Sequence, residues 1–254
     1  DYGLFLACKK VNGGVSWLEW EDAYRIPTPA FKASLRQELS QDIGFYQFVQ
    51  FLFFEEWQEL KSYANEHGVH IIGDIPIFVS MDSADVWANR HLFQLDTKET
   101  GQLWGNPLYQ WEVHEKEGYA WWISRIKNQL EVLDILRIDH FRGFEAYWSV
   151  PYGEKTAVNG EWVKGPNKKL FAAIEAALGG NLPIIAEDLG VITPEVEDLR
   201  DTFHFPGMKV LQFAFESLDE NGFLPHQFTT ANCVCYTGTH DNDTTCGWYA
   251  TLAP

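Results

Sequence analysis

Short apolar runs that lead into an acidic residue recur along this chain, and they alternate with stretches of helical periodicity. Val69-His70-Ile71-Ile72-Gly73 runs into Asp74, Ile135-Leu136-Arg137-Ile138 into Asp139, and Pro183-Ile184-Ile185-Ala186 into Glu187. Cys233 to Tyr236 leads through Gly238-Thr239-His240 to Asp241, and a fifth apolar run extends from Lys209 to Phe215. The spacing of Phe48, Phe51, Leu52, Trp57, Leu60 and Tyr63 predicts a helix over 45–66, with Gly68 as its stop. Further helices are predicted over 119–132, over 167–178 before Gly179-Gly180, and from Thr193-Pro194-Glu195. The last of these reads as an N-cap, an N1 proline and a first-turn acid. Apolar strands alternating with helices indicate parallel βαβ units, so the chain is read as α/β.

Parallel strands carry acids that are distant in sequence to one rim. In a (β/α)8 barrel the active site lies at the carboxyl end of every strand. Asp74, Asp139, Glu187 and Asp241 all fall at or just beyond such ends. Arg137 and Asp139 sit two apart on a strand and share a face. A guanidinium there favours the ionised carboxylate that a nucleophile needs, and a buried structural salt bridge is the alternative. Glu187 follows Ile184-Ile185-Ala186, an apolar setting that raises a carboxyl pKa toward that of a general acid. Its neighbour Asp188 points the other way and reads as structural. Two carboxylates in opposed environments suit cleavage of a glycosidic bond. A rival reading gathers His70, Asp74, Asp139, His140, Glu187, His240 and Asp241 as a metal site. The chain has no His-x-His or His-x-x-x-His pair, and Asp241-Asn242-Asp243 lacks the glycine and glutamate of an EF-hand, so no metal is expected.

Composition narrows the partners. A net charge of −17 and a pI near 4.8 disfavour nucleic acid and anionic membranes. With 46% hydrophobic and 22% charged residues the chain is globular rather than disordered or fibrous. Trp, Tyr and Phe make up 15%, most of them core filling and some of them surfaces on which sugar rings stack. Cys8, Cys233, Cys235 and Cys246 form no CxxC pair, which fits reduced thiols in a cytosol. The opening residues do not form a signal peptide, and the apolar stretch Phe45–Phe54, interrupted by Gln47 and Gln50, is too short to span a bilayer. Both ends look cut, and no linker marks a domain boundary.

Several ordered motifs resemble the amylomaltases, the 4-α-glucanotransferases of glycoside hydrolase family 77 in the α-amylase clan. They are Gly73-Asp74-Ile75-Pro76-Ile77-Phe78-Val79, Leu136-Arg137-Ile138-Asp139-His140-Phe141-Arg142-Gly143, Ala186-Glu187-Asp188-Leu189-Gly190 and Thr239-His240-Asp241-Asn242-Asp243-Thr244. Gly101-Gln102-Leu103-Trp104-Gly105-Asn106-Pro107, Phe144-Glu145-Ala146-Tyr147-Trp148 and Pro206-Gly207-Met208-Lys209 add to them, so the likeness covers essentially the whole chain. The resemblance implies a portion of a (β/α)8 TIM barrel, about strands three to seven, with helical insertions. It reads as one catalytic-barrel portion over 1–254, with a helical insertion and barrel helix in 1–67 and the catalytic βα units in 68–254.

The same resemblance implies residue roles: Asp139 as nucleophile, Glu187 as general acid/base, and Asp241 as the third acid, hydrogen-bonding the distorted sugar. Arg137 and His240 flank those acids, Asp74 supports them, and Trp104 and Asn106 line the glucan groove. It implies a retaining double displacement on α-1,4-glucans and maltooligosaccharides, with no cofactor, in the cytoplasm or, in a plant, the plastid. Retention predicts Asp139 and Glu187 carboxyl groups about 5–5.5 Å apart. Two departures stand out. Members of the family are longer, so the opening and closing strands are expected to lie outside this chain, leaving two open sheet edges. Only Thr97-Lys98-Glu99 joins Asp96 to Thr100, where the family carries a longer loop; a short lid would shift the balance toward hydrolysis. An α-glucan hydrolase, or an inactive portion that at most binds glucan, are the alternatives.

Overall fold

The computed structural model describes residues 1–95, 100–101, 105–151, 153–215 and 222–252. The described strands are β1 (Ile72–Pro76), β2 (Thr100–Gly101), β3 (Ile135–Asp139), β4 (Ala146–Pro151), β5 (Glu161–Lys164), β6 (Ile184–Ala186), β7 (Gly207–Val210) and β8 (Cys233–Tyr236). The described α-helices are α1 (Tyr2–Val11), α2 (Asp22–Arg25), α3 (Pro29–Glu38), α4 (Ser40–Glu66), α5 (Ala84–Ala88), α6 (Trp111–Lys116), α7 (Ala120–Val132), α8 (Lys168–Leu178), α9 (Pro194–Thr202) and α10 (Thr245–Thr251). They form two compact units whose segments alternate along the chain: 1–71, 78–133 and 147–163 in one, 72–77, 134–146 and 164–254 in the other.

The second unit carries the parallel strands. β1 pairs in parallel with β3, placing Asp74 beside Arg137 and Pro76 beside Asp139. β3 pairs in parallel with β6, with Ile138 beside Ala186, and β7 pairs in parallel with β8 from Gly207↔Cys233 to Val210↔Tyr236. The Ala186 N–H donates to the Pro206 carbonyl at 2.9 Å, tying β6 to the residue that leads into β7. The strands therefore follow one another in sequence order, as repeated βα units require. The apolar residues of the runs explain why: Leu136, Ile138, Ile184, Ile185 and Ala186 are all buried. The helical side contributes Phe171 of α8, whose ring lies 5.0–5.4 Å from those of Phe141, Phe144 and Phe205. Gly179 and Gly180, both at positive φ, end α8 where the sequence places its stop.

The first unit is built on aromatic packing. Trp17, Trp20 and Trp87 are buried, and each indole N–H donates to a backbone carbonyl, those of Met81, Val15 and Tyr24 respectively. A second cluster surrounds Tyr109, with Phe93, Trp111, His114, Trp121 and Trp122 within 5.8 Å between ring centroids. Core filling is the role of only part of the aromatic content: among the described residues Phe45, Phe48, Phe51, Phe53, Phe54, Tyr63 and Trp162 are exposed.

Three elements differ from the sequence expectation. The apolar run Lys209–Phe215 is not one strand: β7 ends at Val210, and Leu211–Phe215 closes into a 3₁₀ turn. The helix expected over 45–66 starts earlier, at Ser40, and none of its residues is buried; Phe48 and Phe51 are each 57% exposed. Its apolar residues include Phe45, Val49, Phe53 and Phe54, which spread around the helix instead of forming one stripe. Within its unit α4 is anchored by polar bonds at its far end, Trp57 Nε1 to the Val132 carbonyl at 2.7 Å and Lys61 Nζ to the Leu133 carbonyl at 2.9 Å. Finally, a small sheet of order β2–β4–β5, with β2 antiparallel to β4, had no signal in the strand–helix alternation.

Candidate active site

Arg137 lies at the centre of the acids. It is 8% exposed, on β3, and its register partner across the parallel ladder is Asp74 of β1. Two residues further on, at the strand end, Asp139 emerges on the same face. The guanidinium uses all three nitrogens. Nη1 donates to Asp74 Oδ2, Nη2 to Asp139 Oδ1 at 2.9 Å, and Nε to the Met208 sulfur on β7 at 3.3 Å. A planar fork of donors can hold two carboxylates at fixed angles, which a lysine ammonium cannot. The Asp74 and Asp139 side chains remain 38% and 45% exposed, so these acids are clamped from below and open above. Burial pushes the Asp74 carboxyl above its ordinary pKa and the Asp139 charge adds to this, against the pull of Arg137 and His240.

Glu187 sits just past the end of β6. Its Oε2 accepts the His140 N–H at 2.7 Å and its Oε1 accepts the Leu189 N–H at 2.8 Å. The backbone brings those donors into line because His140 adopts a left-handed conformation, with φ 54° and ψ 45°. The Phe141 N–H also donates to the Glu187 carbonyl and the Glu187 N–H to that of Ile138, both at 3.1 Å, locking the two strand ends together. Burial raises the Glu187 pKa above the ordinary carboxylate value, and the Asp139 charge adds to the rise. The two backbone N–H groups and Arg137 oppose it without cancelling it. This is the environment the sequence reading assigned to a general acid.

Asp188 turns away from that position. Its side chain is 7% exposed, accepts the Met208 N–H at 2.7 Å and pairs with Arg200. Gly207 permits this, since a Cβ there would meet Asp188 Oδ2 at 2.5 Å. Asp188 is thus structural, as its alternation with Glu187 predicts.

His240 and Asp241 lie on the loop after β8. An open cleft of about 430 Å³ is walled by Ile72, Asp74, Arg137, Met208, Tyr236 and His240, among others. Asp139, Glu187 and Asp241 are not among its walls. His240 Nε2 lies 3.5 Å from Asp241 Oδ2, and both side chains are about 70% exposed, at 69% and 72%. The structure therefore joins Asp74, Arg137 and Asp139 directly, brings Glu187 into electrostatic reach of Asp139, and sets His240 in one cleft with Asp74 and Arg137. Trp104 lies outside the described residues, as do 96–99 of the short connection. Asn106 belongs to the other unit, where its Nδ2 donates to the Val79 carbonyl at 2.8 Å. Sequence reasoning gave Met208 no role, although it lies in the Pro206-Gly207-Met208-Lys209 motif, because nothing local shows that its sulfur meets Arg137. Among the described residues, no three His, Cys, Asp or Glu side chains gather as a metal-binding group.

Successive parallel strands with carboxylates at their carboxyl ends, joined by a buried arginine, define a portion of a (β/α)8 barrel of the kind that places a site on its strand-end rim. Residues 1–253 match the glycoside hydrolase family 77, described as 4-alpha-glucanotransferase, and the chain belongs to that family. It is 53% identical over 265 residues to a 4-alpha-glucanotransferase of Synechocystis, covering 98% of this chain and 52% of that protein. It is 50% identical to a 4-alpha-glucanotransferase of Thermus thermophilus, covering 100% of this chain and 54% of that one. The solved amylomaltase from Streptococcus agalactiae, in complex with acarbose, superposes with a TM-score of 0.93 at 39% identity, over 99% of this chain and 54% of that one. The chain spans about half the length of the curated relatives it matches.

Proposed function

We propose that this chain carries the reacting groups of a 4-α-glucanotransferase, with Asp139 as nucleophile and Glu187 as general acid/base. The observation that supports this best is the contrast between the two carboxyls: Asp139 is held by Arg137 with its face open, whereas burial keeps Glu187 inclined to hold a proton. Asp139 Oδ attacks the anomeric carbon of an α-1,4-linked glucose while Glu187 gives its proton to the departing 4-oxygen, and a covalent glycosyl-enzyme forms. Glu187, now ionised, takes the proton from the 4-hydroxyl of an acceptor glucan, which displaces Asp139 and restores the α configuration. Both Glu187 oxygens already accept a backbone N–H, and each keeps a second lone pair for that proton. Asp241 and His240, exposed on their loop, are suited to hydrogen-bond sugar hydroxyls, and Asp74 and Arg137 to hold the floor of the site. The family resemblance adds Trp104 and Asn106 to this proposal as glucan-binding residues.

The substrates we propose are maltooligosaccharides and longer α-1,4-glucans, uncharged ligands that suit an acidic protein. The relative from Streptococcus agalactiae holds acarbose, which makes acarbose the first ligand to try. We place the reaction in a reducing compartment, bacterial cytosol or plant plastid, with which the four free cysteines agree. No described helix is long and apolar enough to cross a membrane.

The test is incubation of the intact protein with maltotriose and separation of products by size. A ladder of longer oligosaccharides together with glucose is expected; maltose and glucose alone would make the protein a hydrolase. Asp139→Asn and Glu187→Gln should each lower the rate at least about 10²-fold, the low end of what general acid–base groups contribute. Full activity in either variant would sink the role given to that residue.

A further inference from the structure

The loop that carries His240 and Asp241 is clipped shut by one buried amide on a different element. Gln212 lies in the 3₁₀ turn after β7 and is 5% exposed, among the few buried polar side chains of the molecule. Its main-chain N–H donates to the Thr237 carbonyl at 3.3 Å, at the start of the loop. Its side-chain Nε2 donates to the Asp243 carbonyl at 2.9 Å, at the loop's far end. One residue thereby holds both ends of a segment with the two exposed polar groups at its tip. Inside the clip, Asn242 Oδ1 accepts from the Thr239 N–H and hydroxyl at 2.8 and 3.0 Å, and the Asp241 N–H donates to Thr239 Oγ1 at 3.3 Å. Gly238 is part of the same fit, because a Cβ there would stand 2.9 Å from Gln212 Nε2 and 3.3 Å from the Asn242 Cβ.

These contacts fix the loop backbone, while the Asp241 and His240 side chains stay exposed. A group that must meet a sugar hydroxyl in the transition state needs its position set in advance, and a loop ordered only by solvent-exposed bonds does not provide that. We propose that Gln212 is a positioning residue for glucan transfer, acting through Asp241 and His240 by holding the Thr237–Asp243 loop in its reactive shape. The proposal rests on the glucanotransferase reading above for its activity arm and stands on geometry alone for its structural arm. A buried amide serves here because it can donate to a carbonyl without placing a charge in the core.

Gln212→Leu removes the donor at similar volume, and Gln212→Glu replaces it with a carboxylate that cannot donate at neutral pH. In the intact protein, amide hydrogen exchange over 237–243 should quicken about tenfold or more in both variants, the loss of one buried hydrogen bond. Initial rates on maltotriose should show kcat down about tenfold or more with KM within about twofold, since the interaction lost is one made in the transition state. The same substitution made in an Asp241→Asn background should cost less than about threefold further, because its effect passes through Asp241. A loss of equal size in both backgrounds would overturn the proposal, as would unchanged exchange with unchanged kcat. If exchange quickens and Asp241→Asn itself changes nothing, the role of Asp241 has failed, and with it the claim that Gln212 acts in catalysis. Should Gln212→Leu fail to fold, Gln212→Glu decides: acidification toward its carboxyl pKa restores a donor, and its kcat relative to the parent should rise as pH falls.

Discussion

Arg137 is one side chain with three jobs that no other residue type can combine. It neutralises Asp74, orients Asp139 and reaches Met208 through separate nitrogens of one rigid plane. Lysine would keep the charge and lose the fork. Arg137→Lys should therefore retain most of the fold and lower kcat about tenfold, measured beside circular dichroism; an unchanged kcat would show that orientation of Asp139 does not depend on the guanidinium. Glu187 predicts a pH dependence of definite sign. Its pKa is raised by burial, so the acid form persists above the ordinary carboxylate range and the rate of glycosyl-enzyme formation falls as pH climbs through the raised value. Changing the burial should move that limb: a polar substitution of Ile185, buried on β6 two residues before Glu187, is expected to shift the alkaline limb of kcat/KM downward. A limb that stays in place would assign it to another group.

The same contrast between local and distant determinants governs the elements. Strands β1, β3, β6 and β8 were legible because an apolar run of a few residues leading to an acid is a local pattern, although only β3 and β6 are buried along most of their length. The stops at Gly68 and Gly179-Gly180 were legible because positive φ selects glycine. By contrast, the bend that ends β7 at Val210 carries Gln212 to the Asp243 carbonyl, a contact 31 residues away in sequence, and nothing in Leu211-Gln212-Phe213 announces it. The bonding of Glu187 by the His140 N–H is equally invisible, since it depends on one backbone turn of a neighbouring strand. The helix α6 supplies a prediction of its own. His114 is 1% exposed among aromatic rings, and burial brings its pKa from 6.5 to about 4, partly opposed by the Leu92 carbonyl. In the unfolded chain the imidazole takes up a proton near pH 6.5, while the folded chain refuses it until about pH 4. Stability contributed by neutral His114 is thus complete above 6.5 and is lost as pH falls from there toward 4, by up to about 3 kcal/mol. Urea midpoints at the two ends of that window should differ less in His114→Leu than in the parent; equal slopes would mean the imidazole charges without penalty.

At the scale of the whole molecule the governing quantity is charge. Thirty-six acids against nineteen bases leave −17, yet the site proposed for transfer keeps its one buried guanidinium facing two of those acids and asks for a substrate with no charge at all. An acidic field of this size repels anions, draws in cations and leaves a neutral sugar unsteered. Association with maltotriose then rests on hydrogen bonds and ring contact, neither of which is screened by salt. The folded state, in contrast, bears the self-repulsion of its surplus carboxylates, which salt does screen over a Debye length that shrinks from about 30 Å at 0.01 M to about 3 Å at 1 M. Raising sodium chloride across that range should leave KM for maltotriose within about twofold while the melting temperature rises. A KM that climbs steeply with salt would mean that charge steers the substrate after all, and that the ligand of this rim is an ion, in conflict with glucan transfer. A melting temperature that falls would place the stabilising electrostatics in ion pairs such as Lys9–Asp82 and Arg200–Asp188, outweighing the net repulsion. The two readouts separate because the charge that limits the fold is spread over the surface, whereas the two carboxyls proposed to do chemistry are each held locally, Asp139 by Arg137 and Glu187 by a backbone N–H at the end of the adjacent strand.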